Sequence, residues 1–315
     1  MTRSIPWLRH RLATWAPALG HAEGTIASVK RRVWRLEWEG RGYAVKAPRT
    51  PEERTLEATL QHALHSAGYP VPRVCWEDEE TGVFAMEWVD GPSLEDLLKQ
   101  PRSQDRDEAL AGCVQGLAHL EQGSGIVEAV VGSAAPAPPD PRGFAGGLVG
   151  LSEGLAGEAE TDHLRRACEA VGEVICAEPP RPLGVVDILP RDVVVSANEA
   201  VFLDLWPTGW WWSERRFCHY FGRFQQDSPD RSFQTECFLQ HFPRATAPRL
   251  DAHYLWHDLQ HLRAWQEIRD SPTERRPLGG ELDSLIDAGR DRLTWPGVCP
   301  AANEVRALLR DHLSR

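Results

Sequence analysis

Three aspartates, Asp187, Asp192 and Asp204, stand at the joints of one largely apolar stretch running from Leu183 to Trp206. Two short runs within it, Val193–Val195 and Val201–Leu203, are separated by Ser196, Ala197, Asn198, Glu199 and Ala200. That is the pattern of a hairpin or of two short strands. Asp187 precedes the first run, Asp192 stands at its entrance, and Asp204 follows the second. Strands that deliver carboxylates to one edge suit a divalent-metal or phosphoryl-transfer site, because hard cations such as magnesium take few oxygen ligands at fixed positions. The same residues could equally be ordinary strand-end and turn aspartates, so the decision falls to the rest of the chain.

A cation near those carboxylates would favour the chemical reading. Lys46 lies inside the apolar run Ala44–Ala47, where it either points to solvent or enters a site. Pro51 then opens a helical stretch, 51–66, with Leu56, Leu60 and Leu64 at four-residue spacing. Glu53 and Glu57 fall four apart on a neighbouring face. One of them reaching back to Lys46 would make an ion pair able to orient phosphates. Upstream, Gly20, Gly24 and Ser28 form a glycine-bearing stretch whose backbone amides could close over phosphates. It is neither the Walker pattern nor a clean GxGxxG.

The elements that must position these groups follow from periodicity. Residues 32–38 and 43–47 read as strands joined by a glycine-bearing turn, with Trp34, Leu36 and Trp38 alternating against Val33, Arg35 and Glu37. Residues 83–88 form another strand. The turn 89–92 follows, then a short helix over 94–99 with Ser93 and Asp96 as its capping box. Helices are expected over 106–121 and 162–175. Between them, 123–160 is rich in Gly, Ala and Pro and reads as a long loop or insertion with at most a short helix near 148–155. After Asp204, Trp210, Trp211 and Trp212 form a cluster suited to packing or to stacking on a substrate. Helical periodicity covers 213–226, 231–241, 252–269, 281–290 and 303–313. His253, His257 and His261 recur at four-residue spacing within 252–269, a helix with an apolar side of Leu255, Leu259, Leu262 and Trp265, and read as solvated or hydrogen-bonded rather than as metal ligands.

Composition bounds the partners. A chain of 315 residues with 42% hydrophobic and 26% charged residues has enough apolar content for a substantial globular core. A formal net charge of -11 disfavours nucleic acid or an anionic membrane as a partner. The seven cysteines contain no CxxC pair and no zinc-site spacing. A reducing cytoplasm is therefore the simplest location. The basic N-terminal stretch lacks the apolar core of a signal peptide, and no run of eighteen apolar residues spans a membrane.

This order of features resembles the aminoglycoside phosphotransferase and choline kinase family, small-molecule relatives of the protein kinases. The resemblance runs from the glycine-bearing stretch near residue 20 to the C-terminal helices, with 123–160 lacking a counterpart. The family motif HGDxHxxN, followed by strand, turn, strand and a closing Asp, is matched by residues 185–192 and by Asp204. The resemblance implies an α+β, two-lobed protein-kinase-like fold. Residues 1–90 would be a small antiparallel-sheet lobe with a hinge at 86–90, and 91–315 a large, mainly helical lobe carrying the catalytic loop at 183–206.

It also implies roles. Asp187 falls on the catalytic aspartate that accepts the proton of the attacking group, and Lys46 on the lysine that contacts nucleotide phosphates. Asp192 and Asp204 fall on magnesium ligands, and Glu57 on the helix glutamate paired with the lysine, with Glu53 its rival. Met86, Glu87, Trp88 and Val89 match the adenine-binding hinge, with Val45 and Val194 lining the ring and Gly24 and Ser28 near the phosphates. The cofactors implied are ATP, or another nucleoside triphosphate, and Mg²⁺. The acceptor would be a hydroxyl or amine of a small molecule, or a peptide Ser or Thr side chain, as in natural-product maturation. Both motif histidines are absent, replaced by Val185 and Leu189; Val186 replaces the glycine and Asp192 the asparagine. Those departures carry an alternative: an inactive kinase-like nucleotide-binding or scaffold protein serving a partner enzyme.

Overall fold

The computed structural model describes residues 25–30, 33–38, 40–47, 51–78, 82–132, 141–156, 161–180, 183–185, 188–196, 199–221, 228–270 and 279–313. The chain divides into two compact units, one of Met1–Ala135 with Leu183–Gly209 and one of Pro136–Pro182 with Trp210–Arg315. Its architecture is the expected α+β one, a small antiparallel sheet and a larger helical part.

In the first unit, strands β1 (Thr25–Lys30), β2 (Val33–Trp38), β3 (Arg41–Lys46), β4 (Val74–Asp78) and β5 (Val83–Glu87) form an antiparallel sheet in the order β1-β2-β3-β5-β4. Strand β1 is an addition to the expected set. Its sequence, TIASVK, carries little alternation, and pairing with β2 supplies what local pattern does not. Helix α1 (Pro51–Ser66) follows the apolar spacing that predicted it, burying Leu60 and Leu64 completely.

Helix α2 (Leu94–Leu98) is held at its start by the expected capping box. The Asp96 amide donates to Ser93 Oγ at 3.1 Å, and the Ser93 amide donates to the Asp96 carboxylate at 3.3 Å. Helices α3 (Gln104–Gln122) and α4 (Ser124–Val131) complete the helical part of this unit.

The late segment returns as β6 (Leu183–Val185), a 3-10 turn at Pro190–Asp192, and the hairpin β7 (Val193–Ser196) and β8 (Glu199–Phe202); β9 (Thr208–Trp210) pairs with β6. The hairpin strands reach one or two residues further toward the turn than the apolar runs alone suggested. The turn 91–93 is locked to this hairpin: Val195 donates its amide to the Pro92 carbonyl at 2.9 Å, and Ser93 bridges Val194. Gly91 (φ +148°) lies so close that a Cβ there would stand 2.1 Å from the Val195 carbonyl oxygen. Only glycine fits this approach.

The second unit is helical, with α5 (Pro141–Ala156), α6 (Thr161–Cys176), α7 (Ser213–Phe221), α8 (Ser228–His241), α9 (Ala247–Asp270), α10 (Gly279–Arg292) and α11 (Pro300–Leu313). One core joins Leu148, Leu164, Val171, Trp212, Leu255, Leu262, Ile286 and Leu309. Trp212 is thus core, its indole N–H donating to the Glu178 carbonyl at 2.8 Å. The packing alternative for this aromatic holds over the stacking one. No helix among the described residues is long and apolar enough to cross a membrane.

The segment 123–160 corrects the loop expectation, since α4 and α5 occupy much of it. Its glycines weaken intrinsic helix propensity by up to about 1 kcal/mol each. In α5, however, Gly143, Gly146, Gly147 and Gly150 are exposed, while Leu148 and Ser152 one turn apart are fully buried. The Ser152 hydroxyl donates to the Leu148 carbonyl at 3.0 Å, and the Cys168 thiol of α6 reaches Ser152 Oγ at 3.2 Å. Burial of one face therefore offsets the poor propensity of the other.

Two substitutions test this helix in opposite directions. Leu148→Ala should destabilise the protein by about 2–5 kcal/mol, as loss of a buried leucine does. Gly147→Ala, with nothing within 4 Å of the added Cβ, should stabilise it by about 0.5–1 kcal/mol. Urea unfolding measures both; a mobile loop would show neither change.

Candidate active site

Strand alternation puts Lys46 where it is needed. Lys46 lies opposite Val33 on β2 and Phe84 on β5, and shares a strand face with Ala44, whereas Val45 belongs to the other face and is fully buried there. Lys46 is 7% exposed, Glu57 1% and Asp204 9%. Helix α1 brings Glu57 to it from behind, and Lys46 Nζ donates to Glu57 Oε1 and, at 2.6 Å, to Asp204 Oδ1. The structure thereby joins Lys46 to Glu57.

Burying an unpaired ion costs several kcal/mol, so a lysine here is tolerable only because two carboxylates surround it. Burial by itself would lower the Lys46 pKa; the charges of Glu57 and Asp204, with their hydrogen bonds, outweigh that and leave it above its ordinary value. The ammonium is therefore fixed in its charged form.

The hairpin explains how Asp192 and Asp204 arrive together although eleven residues lie between them. Val193 pairs with Phe202, so the residues just outside that pair, Asp192 and Leu203, meet at its open end. Leu203 donates its amide to the Asp192 carbonyl at 2.9 Å, and Asp204 is the next residue. Both carboxylate-bearing residues are buried.

Lys46, Asp192 and Asp204 line one cavity of about 560 Å³, a volume in the range of small-molecule sites. Val33, Ala44 and Met86 of the sheet, with Val194 and Leu203 of the hairpin, supply its apolar surface. Glu87, Trp88, Val89, Asp90 and Gly91 form its rim. An apolar slot with Lys46, Asp192 and Asp204 among its lining residues fits a flat base with a phosphate tail and an oxygen-ligated divalent ion.

The expected residues divide accordingly. Lys46, Met86, Glu87, Trp88, Val89, Asp192 and Asp204 line the cavity, and Glu57 supports Lys46. Val194 lines it as expected, but Val45 does not; alternation gives its place to Ala44 and Val33. Ser28 lies within β1, paired with Trp34, rather than in an open loop. Gly24 and Asp187 lie outside the described residues, as does the side chain of Glu53.

The rim also refines the hinge. The Glu87 amide donates to the Arg73 carbonyl and the Trp88 amide to the Gly42 carbonyl, both at 3.0 Å. The sheet thus occupies two of the hinge donors, and among the described residues Val89 is the next amide along the rim.

Sequence reasoning missed Arg35, Arg191, Ser93 and Asp96 as lining residues. Arg35 had a signal: it shares the Val33 face of β2, two residues on, and its guanidinium lies 4.4 Å over the Trp88 ring. Arg191, whose Nε is 3.9 Å from the Asp192 carboxylate, sits between two motif positions and had none beyond its neighbours.

The phosphotransferase enzyme family matches residues 25–219. Among solved structures, the chain is similar to a choline/ethanolamine kinase family protein from Mesorhizobium loti, with a TM-score of 0.61, 16% identity, and coverage of 96% of this chain and 98% of that one. It is also similar to the GDP complex of aminoglycoside 2'-phosphotransferase-IIIa, with a TM-score of 0.59, 12% identity and coverage of 97% and 99%. For choline kinase LicA from Streptococcus pneumoniae the values are 0.52, 11%, 98% and 99%. No curated protein sequence matches.

Lys46→Met should strand Glu57 and Asp204 as buried carboxylates and cost about 3–5 kcal/mol in urea unfolding at neutral pH. Adding Glu57→Met should restore part of that loss, the signature of coupled neighbours; additive losses would deny the coupling. Because the folded-state pKa of Lys46 is raised, its contribution is complete below the ordinary lysine value and declines only as the pH rises through the folded one. The wild-type advantage should therefore stay flat across neutral pH.

Proposed function

Because the chain belongs to the phosphotransferase enzyme family, we propose that it transfers the γ-phosphoryl group of ATP to a hydroxyl or amine of a small molecule. A peptide Ser or Thr side chain is a further acceptor of the same chemistry. The observation that carries this reading is the buried Lys46 held by Glu57 and Asp204 at the wall of a cavity that also contains Asp192. Phosphoryl transfer demands positioning and charge neutralisation more than covalent chemistry, and these residues are suited to both.

In this reading the adenine ring lies between Val33, Ala44 and Met86 on one side and Val194 and Leu203 on the other, its edge toward the Val89 amide. Lys46 holds the phosphates at a fixed position because Glu57 restrains its ammonium. Asp192 and Asp204 would hold Mg²⁺, which supplies neutralisation of the phosphate charge. Asp187, placed by the motif, accepts the proton of the attacking hydroxyl. Arg191 and Arg35 add positive charge to a cavity that otherwise carries several carboxylates. The seven cysteines, none in a CxxC pair, support a reducing cytoplasm as the site of action.

The test is phosphate transfer from Mg-ATP to a panel of aminoglycosides, amino alcohols and Ser/Thr peptides. Asp187→Asn should lower kcat by about 10²–10⁴-fold, the range for a general base, with ATP binding retained. Asp204→Asn should weaken Mg-ATP binding itself. ATP binding without turnover on any acceptor would favour the scaffold reading, which the absent motif histidines support. Failure to bind any nucleotide would sink both.

A further inference from the structure

The second unit holds a group of side chains that phosphoryl transfer does not use. His257 and His261 stand one turn apart on α9, and α7, which packs on α9, presents His219 to them. One ligand nitrogen from each of the three lies within 4.8 Å of the others. Nitrogens bound tetrahedrally to zinc at about 2.0–2.1 Å stand roughly 3.3 Å apart. Small ring rotations therefore close the distance.

The expectation that the α9 histidines are solvated or hydrogen-bonded fails for His257. It is fully buried, and neither ring nitrogen has a hydrogen-bond partner among the described residues. Asp258 Oδ1 is 3.7 Å from His257 Nδ1, beyond hydrogen-bond length. A buried polar atom left without a partner costs about 1–3 kcal/mol, and this one faces two further imidazoles. His253, one turn earlier, is equally buried but stands outside the trio.

The surroundings select the chemistry. His257 is fully buried and His261 half-buried, and such a setting disfavours a charged imidazolium and suits a neutral, ligating nitrogen. Cys218, next to His219 in sequence, is not part of the converging group, so the donor set is three imidazoles. Arg215 is nearby, its guanidinium 3.5 Å over the Trp256 ring and donating to Gln260, and its charge opposes a cation; Asp258 partly offsets it. An ion bound only electrostatically through oxygen, such as Mg²⁺, gains little there. One that forms strong bonds to imidazole nitrogen does.

We propose that His219, His257 and His261 bind a divalent transition-metal ion of the zinc class, tying α7 to α9. Three protein ligands leave the fourth tetrahedral position to water or a small anion; the half-buried His219 and His261 give it a route to solvent. This site is independent of the phosphotransferase reading.

The test uses the full chain, stripped by chelation and titrated with Co²⁺ and then Zn²⁺. One equivalent of Co²⁺ should give the visible d–d absorption of a tetrahedral centre, and Zn²⁺ should displace it. Zn²⁺ should raise the melting temperature in proportion to its occupancy, and excess Mg²⁺ should not compete. His219→Ala and His261→Ala, chosen because neither residue is fully buried, should each weaken Co²⁺ binding by at least the roughly 100-fold that loss of even a supporting partner can cost, with circular dichroism unchanged. Asp204→Asn should leave it intact. Absence of the cobalt spectrum, displacement by Mg²⁺, or undiminished affinity in His219→Ala would overturn the site.

Discussion

A lysine ammonium buried between two carboxylates is the interaction on which the first unit depends. Lys46 reaches Glu57 on α1 and Asp204 beyond β8, so a single charged group ties the sheet, its helix and the returning hairpin together. None of the three could occupy that position alone, because each would be an uncompensated ion in a poorly solvated setting. The constraint is mutual. It fixes the one cation that a phosphate-binding reading requires, and it holds Asp204 beside it.

The supporting geometry is made of backbone. The Val193–Phe202 register brings Asp192 against Leu203, and the Gly91 approach to the Val195 carbonyl leaves no room for a side chain between the turn and the hairpin. Rigid strands and close backbone contacts place carboxylates more reproducibly than flexible loops would. Reactive geometry tolerates errors of little more than half an ångström. The apolar cavity walls come from the same strands, since alternation sends Ala44 and Lys46 to one face and Val45 to the other.

The helical unit makes a different use of burial. Polar residues within it are balanced one against another: Arg306 against Asp251 at 2.6 Å, Arg249 against Glu214, and Arg292 against Asp258 at 3.2 Å. Against that background His253 and His257 stand out, because both ring nitrogens of each are buried without a hydrogen bond among the described residues. Trp212, by contrast, satisfies its indole N–H on the Glu178 carbonyl and behaves as core.

Much of this was legible in one dimension where the signal is local. Four-residue spacing located α1, the Ser93–Asp96 pair located the start of α2, and valine runs flanked by aspartates located the hairpin and its two carboxylates. Those features depend on near neighbours in the chain, and near neighbours stay near in any fold. What the sequence could not decide was every choice requiring two distant segments to meet. Tertiary structure joined Lys46 to Glu57, placed Ala44 rather than Val45 in the cavity, and folded a glycine-rich stretch into α5 because Leu148 could be buried. It also brought His219 to two histidines about forty residues away in sequence. In each case the deciding energy is burial or charge pairing across the fold, and that energy does not exist until the distant partner has arrived.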